Sequence, residues 1–448
     1  MNRRRLVKSL VGLAILLVLA AVFLPWKFWL ENKLTAMFEA KGFQNVHLTV
    51  STLGISGITL KDISVGSNTP LTLENVTIGY SLPDLWRGDI NTLAIKGLVF
   101  GARQDHGKWK LTGFEGGSQG NTGTFIPITS EKLAAIPLGS IQLESSSLHI
   151  ISDAWQMNIP LQLTWQKTPV PKLSTQTKSL TFKIRNMEIS TGEASLDATL
   201  HEENKKWDGL WQIKNITSKG EAAPMPAMEG KGSLVAQADH ISLLGEVKSA
   251  DNSYKANFSM EYTLNAPEKS LFTLADATMP WNSGILSVHD VKVPLSGNRA
   301  TEVNLKVQHA SINALMQMLT GKRASATGVV SGTVPVTIGA DGSITFHEGS
   351  LKAEQPGTII MAPDAIPGDN DQITVVREVL KNLHYTNLSI AVNSDKGNKL
   401  SVLLILEGNN PDVYEGRPVK LNVHLTGDML SLMQQSVMPF MKPEQLLK

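Results

Sequence analysis

Histidine side chains are the residues best suited to acid–base or metal chemistry near neutral pH, and this chain has ten of them. They are scattered along the sequence, and none belongs to the His-Glu-x-x-His pattern of zinc proteases. We therefore interpret them as solvated or strand-surface side chains and expect no metal site. The ten are His47, His106, His149, His201, His240, His289, His309, His347, His384 and His424.

Other catalytic patterns are equally scarce. Asp153, Asp276, Asp290 and Asp364 are isolated carboxylates near predicted turns, so no acid–base pair stands out. The segment Gly54-Ile55-Ser56-Gly57 lacks the spacing of a nucleophile elbow. Glycine-rich loops of phosphate-binding spacing are missing from the sequence. We expect neither enzymatic activity nor a cofactor.

The charge balance and the lack of cysteine narrow the function classes further. Lys plus Arg number 41 and Asp plus Glu number 40, so the chain has no net field that would gather nucleic acid. With zero cysteines it has no disulfide, thiolate metal site or thiol nucleophile. Packing and backbone hydrogen bonds alone must hold an exported body together.

The N-terminus predicts a single membrane anchor. A basic cluster at residues 3–8 precedes an uncharged apolar stretch from Ser9 to Trp26, which is close to the ~20 helical residues that cross a bilayer core. The positive-inside rule keeps the basic cluster in the cytoplasm. We therefore expect a bacterial inner-membrane protein with a periplasmic body. A cleaved signal peptide is the competing interpretation, because residues 20 and 21 are small alanines.

The pattern changes from helical to strand-like near residue 42. Leu30, Leu34, Met37 and Phe38 recur at helical spacing, and Gly42 is a plausible stop. We expect this helix to pack on the first strands. Further short helices are predicted over Ile312–Leu319 and Val375–Leu383 and after Asp428. Three regions follow: 1–42 with the cytoplasmic tip, anchor and helical extension; 43–320 with a periplasmic β-sheet; and 321–448 as a C-terminal module.

Alternating apolar and polar residues predict a mostly β body from residue 46 onward, with one dry and one wet face per strand. Shorter alternations occur around residues 196–200, 303–307 and 334–338. Two stretches show the pattern best, and their apolar residues are our candidates for a lipid-binding groove. The candidates are Met157, Ile159, Leu161, Leu163, Trp165, Val419, Leu421, Val423 and Leu425.

Periodicity leaves two architectures open, because a long sheet with one apolar face must cover that face. The sheet can pack into β-sandwich modules. Alternatively, it can stay a single elongated, curled sheet whose apolar concave face forms an open groove suited to acyl chains.

The C-terminal third resembles YdbH-like proteins, a family of the AsmA-like bridge-like lipid carriers. The resemblance begins with the glycine-rich strand pattern of residues 327–336 and the hairpin of residues 342–353, and continues through residues 380–388. Its most specific segment runs from Leu406 to Val419 and contains Gly-Asn-Asn-Pro-Asp and Gly-Arg-Pro-Val. Near the N-terminus, residues 85–98 are similar to the first repeats of the AsmA-like group.

The resemblance implies a function as well as a fold. AsmA-like proteins form curled sheets with a continuous apolar groove and move phospholipid across the periplasm to the outer membrane. YdbH-like members are thought to finish the route with a small outer-membrane lipoprotein that adds strands to their C-terminal edge. The alternative function is a non-transporting envelope scaffold or outer-membrane assembly factor.

The residues of the family motif have a structural interpretation. We expect Gly408 and Gly416 to supply turn geometry, and Pro411 and Pro418 to fix the flanking backbone. An ion pair between Asp412 and Arg417 across the turn is one possibility. The motif residues are Gly408, Asn410, Pro411, Asp412, Gly416, Arg417 and Pro418.

Overall fold

A computed structural model confirms that the chain is mostly β. It describes residues 27–40, 43–66, 70–105, 108–111, 138–151, 155–184, 187–201, 203, 205–219, 225–237, 239–263, 266–295, 300–320, 323–339, 344–365, 371–394 and 400–426. Strands occupy 67% of these residues. Among them, no helix is long and apolar enough to cross a membrane. The predicted span, Ser9 to Trp26, lies outside them.

Four helices of six or more residues occur in the described part of the chain. They are α1 (27–40), α2 (Leu82–Arg87), α3 (Ile312–Thr320) and α4 (Asp371–Leu380). The prediction over Ile312–Leu319 is confirmed to within one residue. The prediction over Val375–Leu383 was shifted, because Leu383 begins a strand. The helix expected after Asp428 lies outside the described residues.

Short 3₁₀ turns and strands make up the remaining regular structure. The turns are Pro267–Lys269, Pro363–Ala365 and Tyr414–Gly416. The strands of the first half are β1 (His47–Gly54), β2 (Gly57–Val65), β3 (Leu71–Gly79), β4 (Ile90–Lys96), β5 (Val99–Asp105), β6 (Lys108–Leu111), β7 (Leu138–Ile151), β8 (Trp155–Gln166), β9 (Lys172–Thr177), β10 (Thr181–Ile184), β11 (Met187–Ser190), β12 (Ala194–His201), β13 (Lys206–Lys219) and β14 (Met228–Ala236).

The second half contains thirteen more described strands. They are β15 (His240–Ser249), β16 (Lys255–Thr263), β17 (Leu271–Trp281), β18 (Gly284–Pro294), β19 (Thr301–Ser311), β20 (Ala324–Ala326), β21 (Val329–Ile338), β22 (Ile344–Phe346), β23 (Gly349–Ala353), β24 (Gly357–Met361), β25 (Leu383–Ser394), β26 (Leu400–Asn409) and β27 (Val419–Thr426). Every alternating stretch singled out in the sequence forms a strand.

The chain divides into two compact units. Unit 1 comprises residues 1–185, 190–213 and 234–238, and unit 2 comprises residues 186–189, 214–233 and 239–448. The boundary expected between residues 320 and 321 falls inside unit 2. There, β19 and β21 pair with each other on either side of that position, from Thr301 opposite Ile338 to Ser311 opposite Val329.

Unit 1 is a mixed sheet. Strands β1 to β4 form an antiparallel meander. The 14-residue strand β7 then pairs in parallel with β4 along its first half and with β5 along its second half. On its other side β7 pairs antiparallel with β8, and the ladder continues through β9 and β12 to β13. One long strand therefore joins two shorter ones to the rest of the sheet.

Unit 2 is an antiparallel sheet that runs from β15 through β19 to β21 and then to β27. Its apolar face is packed. Val303, Leu305 and Val307 of β19 are all buried, and residues of α3 and α4 join the same core. The packed core lies mainly in β18 to β26, whereas most residues of β15 to β17 are half-buried.

Candidate functional site

Strand β8 carries the first set of candidate residues, and its two faces differ as the alternation predicts. Gln156, Asn158, Gln162 and Gln166 are exposed on one face. On the opposite face Trp165 is only 2% exposed. The four remaining candidates of this strand are half-buried, which leaves part of each apolar side chain accessible: Met157, Ile159, Leu161 and Leu163.

The register of the ladder places apolar residues from neighbouring strands side by side in unit 1. Residues directly opposite each other in a ladder have neighbouring side chains on the same face of the sheet. The Ile58 row consists of Ile58, Ile78, Leu93, Ile141, Trp165, Leu173 and Ala198. The Leu60 row consists of Leu60, Val76, Ile95, Leu143 and Leu163. The Ile58 row is apolar apart from the Trp165 indole N–H, and the Leu60 row is apolar up to Leu163, whose neighbour in β9 is Thr175.

The Ile58 row crosses seven strands. At 4.7–4.9 Å between neighbouring strands, it extends about 28 Å along the sheet. A bilayer core of ~30 Å holds two acyl layers, so a single acyl layer is roughly 15 Å deep. The row is therefore long enough to contact a whole acyl chain.

A β-bulge in β7 keeps the face apolar. The register shifts between Leu143 and Ser146, and Ser145 in between has a φ of 48°. The extra residue returns Leu148 and Ile150 to the face of the rows, where simple alternation would have turned them away. The sequence analysis did not single out β7, because the apolar residues on this face occupy the odd positions 141 and 143 before the bulge and the even positions 148 and 150 after it. This change from odd to even positions was the signal that could have revealed the bulge.

Protein contacts cover the rows only in part. Helix α1 packs through Leu30, Leu34 and Phe38 on a buried cluster that includes Leu60 and Val76 of the Leu60 row, as predicted, whereas Met37 is exposed. In β8 and β12, Trp165 joins a small buried cluster with Ala198, Leu200 and Trp207. Most other members are half-buried: Ile58, Ile78, Leu93, Ile95, Ile141, Leu143, Leu163 and Leu173.

Strand β27 carries the second set of candidates and has a different environment. Leu421 is 9% exposed and lies in the packed core of unit 2, and Val419 and Val423 pack against the same core. Leu406 and Leu404 of β26 are their neighbours across the ladder. The side chain of Leu425 lies outside the described set. In this structure Leu421 is buried, whereas Val419 and Val423 are half-buried.

The comparisons with known proteins concern this second half of the chain. Residues 252–436 match the model of a family described as intermembrane phospholipid transport protein YdbH. This part of the chain is similar to that family. The match confirms the resemblance stated above, since the segments at residues 327–353, 380–388 and 406–419 all lie inside it. No curated protein and no solved structure matches the chain.

Within the matched region, Asn410 connects the family motif to helix α4. Asn410 is buried, and its Nδ2 donates hydrogen bonds to the carbonyl oxygens of Glu378 and Val379, both at 3.1 Å. These carbonyls belong to the last turn of α4, where backbone acceptors lack helical partners. Its Oδ1 accepts a hydrogen bond from the backbone N–H of Asp412 at 2.8 Å. The motif thereby fixes the end of a helix that contributes to the core.

Of the two motif glycines, Gly408 belongs to strand β26, where the close approach of β25 rather than turn geometry excludes a Cβ, and Gly416 belongs to the turn that follows. A Cβ at Gly408 would lie 2.1 Å from the carbonyl oxygen of His384, and Gly416 has a φ of +65°. Asp412 and Arg417 do not pair with each other. Asp412 accepts a hydrogen bond from Asn382, and Arg417 pairs with Glu415 at 2.9 Å. Pro411 and Pro418 are exposed beside the turn.

Titratable groups in the described part of the chain pair at the surface. His309 Nδ1 lies 2.8 Å from Glu354 Oε1, and His240 Nε2 lies 2.6 Å from Glu261 Oε2. A hydrogen bond from Ser331, followed by the contact with His309, lowers the pKa of Glu354. No group of three or more potential metal ligands occurs among the described residues. The candidate site is the partly exposed apolar face of unit 1 that carries the two rows.

Proposed function

We propose that the chain is a periplasmic carrier, anchored in the bacterial inner membrane, that moves phospholipids between the inner and outer membranes. The observation that carries this proposal is the pair of uncharged, partly exposed rows in unit 1. The match of residues 252–436 to a family described by phospholipid transport supports it.

Binding along the rows is hydrophobic and therefore non-directional. Each buried CH₂ group contributes ~0.8 kcal/mol, so an acyl chain can shift from one strand to the next without breaking a specific bond. Trp165 is the polar exception, because its buried Nε1 has no hydrogen-bond partner among the described residues. Such a carrier needs no catalytic residue.

The two ends of the chain connect the carrier to its membranes. The apolar stretch from Ser9 to Trp26 serves as the inner-membrane anchor, with the basic cluster at residues 3–8 in the cytoplasm. At the other end, β27 pairs only with β26 among the described strands. Its second edge pairs with no described strand and would accept a strand from a small outer-membrane lipoprotein, by β-augmentation.

The packed face of unit 2 favours a second candidate function. If the buried core around Leu421 never opens, the chain is an envelope scaffold or an outer-membrane assembly factor that does not transport lipid. The two candidates predict different results for lipid transfer by the isolated protein.

Lipid transfer between vesicles tests the proposal. The full chain, reconstituted in donor vesicles that contain a fluorescent phospholipid, should deliver this lipid to acceptor vesicles faster than protein-free donors do. Leu161→Asp should abolish the acceleration, because a carboxylate in the apolar face repels hydrocarbon, whereas Gln162→Asp on the wet face should retain it. A folded wild-type chain that gives only the protein-free rate would favour the scaffold.

A further inference from the structure

One end of unit 1 exposes an unusual number of large apolar side chains. Trp86 of α2 is 95% exposed and Ile55 in the β1–β2 turn is 80% exposed, and four more apolar residues of this end are exposed too. We call this surface the apolar end. Its members are Phe28, Trp29, Leu53, Ile55, Leu82 and Trp86.

Hydrogen bonds hold three separate elements together at the apolar end. Lys27 Nζ at the start of α1 donates to the carbonyl oxygen of Ser51 in β1 at 2.6 Å. Tyr80, which follows β3, donates its hydroxyl to the carbonyl oxygen of Gly54 at 2.7 Å and its backbone N–H to that of Ser56 at 3.0 Å. The start of α1, the β1–β2 turn and the segment leading into α2 are therefore neighbours.

The position of α2 is fixed as well. Ser81 accepts a hydrogen bond from the backbone N–H of Asp84, which caps the helix, and Asp84 in turn accepts one from the Ser81 hydroxyl and pairs with Arg87. Trp86 thus stands exposed on a short helix whose first turn is tied down. A large aromatic side chain that is exposed on a fixed helix indicates a binding surface rather than a core residue that is loosely packed.

The occupant of the apolar end follows from what precedes it in the chain. Directly before Lys27 the sequence is uncharged from Ser9 to Trp26. Tryptophan and lysine are the residues enriched where protein meets the lipid headgroups, and Lys33 Nζ lies 5.5 Å from the Trp29 ring centroid. The acidic Glu31 is engaged within the protein, because its carboxylate accepts a hydrogen bond from the backbone N–H of Val50.

We infer that the apolar end of unit 1 rests on the surface of a phospholipid bilayer, with Ile55, Leu82 and Trp86 inserted among the headgroups. This inference rests on the anchor of the proposed function and adds the orientation of the body. The Ile58 row begins beside this end, because Ile58 follows the β1–β2 turn and Ile78 lies opposite it at the end of β3. The contact places the start of the row where lipids can enter it.

Single labels can test this contact cleanly because the chain has no cysteine. Ile55→Cys, Leu82→Cys and Trp86→Cys in the full chain would carry an environment-sensitive fluorophore. The proteins would be reconstituted in phosphatidylethanolamine and phosphatidylglycerol vesicles, with or without a lipid that carries a quencher near its headgroup. Leu210→Cys is the matched control, since Leu210 is exposed on β13, eight strands from β1 and on the order of 38 Å along the sheet. Val18→Cys, near the middle of the predicted span, reports on the anchor through a separate lipid that carries its quencher in the acyl chain.

Loss of emission at positions 55, 82 and 86, with none at 210, is the expected result. Full emission at 55, 82 and 86 while position 18 is quenched would overturn the inference and leave the anchor intact, and a protein partner would then be the occupant. Full emission at all five positions would overturn both the inference and the anchor. Equal quenching at positions 86 and 210 would also contradict the inference that only the apolar end contacts the membrane.

Discussion

Leu163 of β8 lies directly opposite Leu143 of β7, and both side chains are half-buried on the face of unit 1 that carries the two apolar rows. Neither side chain is enclosed as the core residues of unit 2 are. The pair is therefore the point in the ladder at which a change of chemistry should affect lipid binding more than folding.

Leu163→Asp should remove bound lipid from the purified full chain. A carboxylate beside Leu143 places a charge at the end of the Leu60 row and on the shared apolar face, and burying it against an acyl chain is strongly unfavourable. The amount of co-purified phospholipid, measured by mass spectrometry, should fall to near background. Gln162→Asp places the same charge on the exposed face and should leave lipid content unchanged. Similar losses in both variants, or unfolding of Leu163→Asp, would count against an open row.

Tyr385→Phe should destabilise unit 2. The buried Tyr385 hydroxyl donates to the carbonyl oxygen of Thr327 at 2.8 Å, and burial raises the pKa of this phenol, so it remains a donor at physiological pH. Leaving the Thr327 carbonyl without its donor costs about 1–3 kcal/mol of unfolding free energy. Urea unfolding measures this loss. Tyr414→Phe, at an exposed tyrosine, should change little, and equal effects would be inconsistent with this account.

Asn410→Ala should also destabilise unit 2, because it removes the hydrogen bonds to the carbonyls of Glu378 and Val379 at the end of α4. The expected cost is about 1–3 kcal/mol, and hydrogen exchange should increase first in α4. The exposed Asn422 offers the control Asn422→Ala. Unchanged exchange in α4 would mean that the motif does not hold the helix.

Asp251 makes the β15–β16 turn sensitive to acid. Hydrogen bonds from the Ser249 and Ser253 side chains hold the pKa of Asp251 at about 2, below its ordinary value of 3.8. Because the folded-state pKa is lowered, the stabilisation is fully present above the unfolded value and is lost as the pH falls through the folded value. Between pH 3.8 and about 2, urea midpoints should fall more steeply for the wild type than for Asp251→Asn. Parallel curves would contradict these hydrogen bonds.

Strands were the most predictable part of the fold. Alternation over residues 157–166 and 419–426 matches β8 and β27 closely, because each strand has one wet and one dry face. Helix α4 was misplaced because Val379, Leu380 and Leu383 are all buried and apolar, and local spacing cannot show that Leu383 already belongs to a strand.

The rows and their accessibility could not be predicted in the same way. The step from Leu93 to Ile141 depends on the parallel pairing of β4 with β7. Two described strands, β5 and β6, lie between them in the sequence, so the local residue pattern does not indicate that β4 and β7 pair. Likewise, Leu163 and Leu421 stand in nearly identical alternating patterns. Only the extended core of unit 2, which Leu421 joins, makes Leu421 buried while Leu163 stays half-buried.

Photocrosslinking in living cells tests the central claim most directly. A photoreactive amino acid at Leu163 of the full chain, followed by mass analysis of the attached molecules, should yield phospholipid adducts, and the same probe at Gln162 should yield none. Adducts at both positions would indicate non-specific contact with the membrane. A folded, expressed chain with no lipid attached at Leu163 would contradict lipid carriage along the rows.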